Sequence, residues 1–396
     1  MSIRYSPYDE SLWSHPWDTY KRMQDEAPAY YIEDLDCWAL TRFEDIWKAS
    51  MDRKAYTATH GTSPDALFLS EAPQPEVFLF MDPPAHGRTR GLIGRSYLKD
   101  KIALIEDHVR GVVRTEIAPM LSTGEIDVYR LASRTALQLI AAFIGLEYEE
   151  ALRIRGYIDR FYLREPGVRG TTPEGAQAFA EAREYIMGLI EKYRQNPPAE
   201  HSHIVTWLNA DVDGNRLTDE QIFFSIFAMV ITGSDTLPLT TACTIYNLAA
   251  NPDQLGMVRD DPTLCAAAFE EAARFDQPTN MLGRRVCQEV ELHGETMRPG
   301  QSVLFLYAAA CRDEREFDEP DRFDITRRQR RNLSFGTGLH FCLGQHLARL
   351  EGQVLLQEIL ASVGDFEVRH DRCERIRGEF LQGFCQLPIS FKPHAS

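Results

Sequence analysis

The chain has 396 residues, with 59 acidic against 43 basic side chains and a formal charge of -16. That length can bury a sizeable core, and the acidic balance argues against nucleic acid or an anionic membrane surface as the main partner. The first residues are polar and aromatic instead of charged then apolar, and the longest apolar stretch, 222–231, is short for a membrane span and carries Ser225, so a cytoplasmic protein with no membrane partner is expected.

In chain order, alternation predicts a hairpin over 30–41 that turns at Glu33-Asp34. A Pro-rich stretch with interspersed Phe and Leu, 59–82, and a Gly- and Pro-rich stretch, 164–173, read as binding loops or lids. Helical periodicity covers 101–121, 131–144, 174–193, 218–250, 263–275 and 343–363. The segment 288–306 alternates as strands around turns at His293-Gly294 and Pro299-Gly300. No repeat or linker divides the chain, which predicts a single domain over 1–396, monomeric and mainly α with a small β-sheet region. The eight cysteines are scattered without a CxxC pair, so they are expected to be reduced thiols.

The most specific segment is 332–351, NLSFGTGLHFCLGQHLARLE. Gly336 and Gly338 allow a tight loop with exposed amides. Apolar residues at Leu343, Leu347, Leu350, Val354 and Leu355 then predict a helix with one buried face. Cys342 falls at its N-terminus, where orphan amides and the helix dipole favour a thiolate, an electron-rich metal ligand. By itself the segment also admits a core thiol, or a small metal site of His340, Cys342 and His346, which lacks a fourth ligand at zinc spacing.

Other constellations stand elsewhere. Glu271 and Arg274 share a helix face, which alone would suit a surface ion pair. In Thr232-Gly-Ser-Asp235-Thr236 an acid and an alcohol interrupt an apolar helix, which is costly unless they are used or solvated. Pro238 lacks an amide and crowds the Ser234 carbonyl, predicting a kink beside Gly233. His86 and Arg90 are four apart at a helix start and face the same way; Arg284 and Arg285 adjoin.

Phe335-x-x-Gly338-x-x-x-Cys342-x-Gly344 resembles the haem-binding loop of the cytochrome P450 family, and the resemblance runs from about Trp38 to the C-terminus. It implies the cytochrome P450 fold, a mainly α, helical domain around a buried haem with a small β-sheet region. The implied cofactor is haem b (iron protoporphyrin IX). Cys342 would be the proximal iron ligand, with Phe335 near its sulfur and Gly344 in the same loop. His86, Arg90, His340 and Arg284, or Arg285 in its place, would hold the haem propionates. Glu271, Arg274 and Arg322 would form a buried network. Asp235 and Thr236 would deliver protons in oxygen activation, where Thr232 and Pro238 depart from the family's usual pattern.

The implied activity is a monooxygenase inserting one atom of O2 into a small hydrophobic organic substrate. By resemblance its pocket draws on 59–82, 157–168, 229–233, 278–282 and 380–385. These include Phe68, Phe78, Leu79, Phe80, Phe161, Met229, Met281, Leu282 and Phe384, with Asn280, Arg164 and Arg169 as polar candidates. No GxGxxG occurs in a strand–helix context, so electrons must come from another protein. Arg327, Arg328, Arg330 and Arg331, with Arg88, Arg95, Lys99 and Lys101 nearby, suggest a docking face for an acidic ferredoxin. Two other classes are a peroxide-driven haem peroxygenase, which Asp235-Thr236 and the basic set oppose, and a non-enzymatic haem-binding sensor, for which no signalling module is visible.

Overall fold

A computed structural model describes residues 3–68 and 74–392. The first elements are α1 (Trp17–Glu26), the hairpin of β1 (Ala29–Ile32) and β2 (Cys37–Leu40), α2 (Phe43–Met51), β3 (Tyr56–Thr57) and the short α3 (Pro64–Phe68). Helices α4 (Ala85–Gly94), α5 (Lys99–Ala103) and α6 (Glu106–Leu121) lead to β4 (Glu125–Asp127), then α7 (Val128–Ile144), α8 (Tyr148–Phe161) and α9 (Pro173–Gln195). Next come α10 (His203–Asn209), the small hairpin of β5 (Asp211–Val212) and β6 (Asn215–Arg216), α11 (Asp219–Ser234), α12 (Thr236–Ala250), α13 (Pro252–Asp260) and α14 (Cys265–Phe275). Strands β7 (Met281–Val286), β8 (Val290–Leu292), β9 (Glu295–Met297) and β10 (Ser302–Leu306) and helix α15 (Tyr307–Ala310) precede the cysteine loop and α16 (Gln345–Val363). The short strands β11 (Phe366–Val368), β12 (Glu374–Arg375), β13 (Phe384–Gln386) and β14 (Pro388–Phe391) follow. The main sheet runs β1-β2-β10-β7-β3, with β2 and β10 parallel and the other neighbours antiparallel.

The expected hairpin and the alternating 288–306 segment fold as strands. Two expected helices are broken. The run 101–121 divides around Leu104 and Ile105, and the run 218–250 divides at Asp235 (φ -95°, ψ -51°). The second break has the anticipated cause: Pro238 offers no amide to the Ser234 carbonyl, and its ring crowds that oxygen.

The two halves of the broken helix enter different cores. In α12, Leu237, Ala242, Cys243, Ile245 and Leu248 pack with apolar residues of α6, α7, α14 and α16. In α11, Ile222, Phe223, Ile226, Phe227 and Val230 pack with Leu137 and Ile140 of α7 and with α8 and α9. The hydroxyls of Thr240, Thr241 and Thr244 donate to carbonyls four residues back at 3.0, 2.9 and 2.7 Å, so they lose water without losing a partner. Glycine permits two close helix contacts: a Cβ on Gly233 would meet Ile140 at 2.6 Å, and one on Gly352 of α16 would meet Phe269 of α14 at 2.3 Å. The apolar run is longer than the expected 222–231. Within Asp219–Ala250 an 18-residue window has a mean hydropathy of 1.6, enough by length and composition to cross a membrane, and 67% of that window is buried within the protein itself.

Arg274 is fully buried, not on the surface. Its Nε and Nη2 donate to Glu271 at 2.9 and 2.7 Å, and its Nη1 to the carbonyls of Cys311 and Pro320. Arg322 is not the third charged member. The chain turns at Glu319 (φ 45°), the Arg322 side chain points outward to Glu319, and only its carbonyl reaches Arg274. Arg327 takes the place instead, its Nε 3.2 Å from Glu271, with Gln329 donating to the other carboxylate oxygen.

His203, at the start of α10, is 2% exposed, its Nε2 lies 3.0 Å from the Tyr97 hydroxyl, and burial lowers its pKa from 6.5 to about 4. The folded chain keeps His203 neutral where the unfolded chain takes a proton. Its contribution is therefore intact above pH 6.5 and lost as the pH falls toward 4. Denaturant unfolding should show the wild type losing up to about 2 kcal/mol more than His203→Gln between roughly pH 7 and 5. Equal losses would show that His203 does not carry this dependence.

Candidate cofactor site

The loop before α16 is shaped by backbone constraints. Gly336 and Gly338 take φ +69° and +73°, and a Cβ on Gly338 would meet the Ser50 carbonyl oxygen at 2.4 Å. The Cys342 amide donates to the Phe335 carbonyl at 2.9 Å, which brings these two residues together. Arg349 lies 4.3 Å above the Phe335 ring and pairs with Glu270. The helix starts at Gln345 with Gly344 as its N-cap, slightly later than the expected 343. The Gly344 amide, Arg90 and Arg349 favour the Cys342 thiolate, but burial outweighs them and raises the thiol pKa. Position near a helix start therefore does not give a thiolate here; coordination to a metal, which deprotonates a ligating thiol outright, would supply it.

Four basic side chains converge beside the loop: His86 and Arg90 from α4, Arg284 from β7 and His340 from the loop itself. The His86 and His340 rings are 4.7 Å apart. Arg90 Nη2 donates to the Phe341 carbonyl at 2.6 Å, and Arg284 Nη1 to the Gly283 carbonyl at 2.7 Å. Strand alternation sends Arg285 to the opposite side, toward the Gly300 and Leu67 carbonyls. His86 is 2% exposed, and neither of its ring nitrogens has a hydrogen-bond partner among the described residues.

Burial is the main influence on all four and lowers every pKa, His340 to about 3; the acidic groups they feel are Asp82, Tyr307 and the Cys342 thiol. Arg90 and Arg284 carry charge out of water with no ion-pair partner among the described residues, which is costly, and the neutral rings of His86 and His340 add donors beside them. A flat apolar group with two carboxylates on one edge, and a metal for Cys342, would complete this donor set. The residues present fit haem b.

On the other side, Asp235 is 5% exposed and not solvent-facing. Arg155 of α8 pairs with its Oδ1 and also with Asp159, while Asp235 Oδ2 is buried without a partner. Burial raises the Asp235 carboxyl pKa, and Arg155 opposes the rise. Thr236 is half-buried beside it, and the Thr232 hydroxyl bonds back to the Ala228 carbonyl at 2.9 Å. Sequence reasoning missed Arg155; its one local signal is the i,i+4 spacing to Asp159.

Several expected residues are engaged elsewhere. Of the basic set, Arg327 is drawn into the Glu271 network, Arg331 pairs with Glu44 and Glu316, and Arg88 pairs with Asp213. Arg328 and Arg330 are exposed. Among the apolar candidates, Met281 is buried in the core cluster of Tyr20, and Phe384 packs 4.5 Å from Tyr246, so both are core. Asn280 is held by the Tyr20 hydroxyl at 2.8 Å and donates to the Glu379 carbonyl at 3.0 Å. Phe161 packs against Phe227 of α11 at 6.1 Å. Within 59–82, residues 69–73 lie outside the described residues.

The family model for Cytochrome P450 matches residues 259–391. A "Putative cytochrome P450 123" of Mycobacterium tuberculosis (strain ATCC 25618 / H37Rv) is 34% identical over 97% of this chain and 96% of its own. A "Vitamin D(3) 25-hydroxylase" of Pseudonocardia autotrophica is 28% identical over 98% of this chain and 97% of its own. Among solved structures, CalO2 is similar with a TM-score of 0.85 and 26% identity, covering 100% of both chains.

If the unpaired cations hold the cofactor carboxylates, Arg284→Leu and His86→Leu should each speed haem loss by about tenfold or more, measured by transfer to excess apomyoglobin. Unchanged retention in both would remove these residues from the site.

Proposed function

The chain belongs to the cytochrome P450 family of haem b monooxygenases, and we propose that Cys342 ligates its iron, that Asp235 and Thr236 deliver protons, and that the substrate is a small hydrophobic molecule. The observation that carries this reading is the group of buried and half-buried basic side chains beside the Cys342 loop, which have no ion-pair partner among the described residues. When bound, a thiolate-ligated haem supplies the activation of O2.

The chain's own residues divide the remaining work. Gly336 and Gly338 set the loop so that Cys342 and Phe335 face the cofactor together. Arg90 and Arg284, with His86 and His340, neutralise its carboxylates. Apolar groups such as Phe161 and Met229 keep water from the reacting end of the substrate. The helix break at Asp235 leaves its Oδ2 free to hold a proton, while Arg155 fixes Oδ1. The Thr236 hydroxyl, next in the chain, passes that proton toward O2.

Electrons would come from a separate acidic ferredoxin. Supporting this, Arg328 and Arg330 remain open just before the loop. A groove lined by Glu44, Trp47, Lys48, Met51, Asp52, Arg53, Lys54 and Arg331, more basic than acidic, adjoins it where Gly338 approaches Ser50. Such a charge arrangement guides encounter more than it tightens binding.

Screening compounds for a low-spin to high-spin change in haem absorbance tests the reading and finds the substrate class. With a substrate in hand, Thr236→Ala should keep the spin change but send most electrons to hydrogen peroxide; full coupling of electrons to product would refute the relay. Arg328→Glu with Arg330→Glu should slow reduction by ferredoxin about tenfold at low salt and flatten its salt dependence. Unchanged rates would sink the docking face.

A further inference from the structure

A second buried charge cluster is not used by the mechanism above. Arg164 leaves α8 in the loop before α9, and its side chain is 8% exposed. Its Nη2 donates to Glu379 at 2.8 Å and to Asp65 Oδ2 at 3.3 Å, its Nε reaches the other Glu379 oxygen at 3.3 Å, and the Thr171 hydroxyl also donates to Asp65 Oδ2. Two atoms of the ion pair are left over, beside the buried Tyr8 hydroxyl, which also has no partner among the described residues and feels the charges of Asp65, Glu379 and Arg164. Arg164 Nη1 and Asp65 Oδ1 are both buried and neither has a hydrogen-bond partner among the described residues. One ion pair thus presents a spare donor and a spare acceptor out of water, an arrangement that calls for a partner supplying both.

The charge balance narrows that partner. One guanidinium pairs with the carboxylates of Asp65 and Glu379; Arg169 lies nearby, 5.7 Å over the Tyr8 ring, but forms no ion pair with either acid among the described residues. A third carboxylate would meet net repulsion, and a simple cation would leave Arg164 Nη1 unpaired. A neutral group with both a donor and an acceptor fits.

The surroundings set the cluster against the strand that carries Arg284. The Gly283 amide of β7 donates to the Thr62 carbonyl at 2.7 Å, and a Cβ on Gly283 would meet Leu67 at 2.0 Å, so α3 and Asp65 are seated on the strand that carries Arg284. The Glu379 backbone is held by Asn280, which immediately precedes the same strand. From the opposite side, Tyr162 feels the charges of Asp235, Arg155, Arg164 and Asp65 together, linking the cluster to the helix break.

We propose that Arg164 and Asp65 form a polar subsite that binds a hydroxyl or primary amide at the end of the substrate remote from the reaction. The proposal rests on the haem reading only for the location of the reacting end.

In the holoprotein, imidazole ligates the iron and shifts its absorbance, which anchors one end of a probe. A series of 1-alkylimidazoles from butyl to dodecyl, ending in methyl, hydroxyl, amide or carboxylate, then reads the subsite. At a matching length the hydroxyl and amide tails should bind about tenfold tighter than methyl, and carboxylate weaker than methyl. Arg164→Met and Asp65→Ala should erase the preference while methyl-tailed affinity stays, which reports an intact fold. Asp65→Asn, which keeps an acceptor and removes a charge, should retain the hydroxyl preference and tolerate carboxylate. The proposal is overturned if no length prefers hydroxyl or amide, if carboxylate binds tightest, or if the preference survives both Arg164→Met and Asp65→Ala. Failure of the haem reading looks different: imidazole itself would give no absorbance shift, and this subsite would fall with it.

Discussion

A cluster of basic side chains withdrawn from water with no acidic partner among the described residues is the constraint around which this protein is organised. His86 and Arg90 come from a helix start, Arg284 from a central strand and His340 from a glycine-shaped loop, and none is stabilised by the others. Each is positioned by a different local device: helical spacing, strand alternation, or positive-φ glycines. Mutual repulsion and lost solvation oppose their convergence. The rest of the fold holds them together nonetheless, and a dianionic ligand relieves both penalties at once.

Two other buried arginines show how specific that pattern is. Arg274 is fully satisfied within the protein, by Glu271 and by the carbonyls of Cys311, Pro320 and Arg322. It ties α14 to the segment leading to the cysteine loop and needs nothing from outside. Arg164 is intermediate, with two carboxylates and one idle nitrogen. Counting which donors lack partners, and not simply which arginines are buried, separates scaffold from binding site.

The parts of the site that depend on local spacing were legible in the sequence. The cysteine loop, the His86–Arg90 pair, the Glu271–Arg274 pair and the kink from Pro238 are each fixed within a few residues. Interactions between distant segments were not. Nothing local distinguishes Arg322 from Arg327 as the partner of Glu271; the turn at Glu319 decides it. Arg155 lies eighty positions from Asp235, and only packing of α8 on α11 joins them. Charge runs misled for the same reason. A stretch of arginines reads as an open basic face until the acids that fold against Arg88, Arg327 and Arg331 are known. Likewise Met281 and Phe384 have the composition of pocket residues but the surroundings of core.

The break at Asp235 also separates two compartments of the molecule. On its N-terminal side α11 packs with α7, α8 and α9, and on its C-terminal side α12 packs with α6, α7, α14 and α16. The two clusters meet at α7, so substitutions facing away from α7 are the ones expected to be poorly coupled across the break, because stability effects of non-contacting sites are close to additive. The α8 and α9 face of α11 can therefore accumulate changes in shape and polarity while the side of α12 that packs on α14 and α16, next to the buried arginine network, keeps its packing. A single proline thus gives the scaffold evolutionary freedom over what it binds without placing the chemistry at risk.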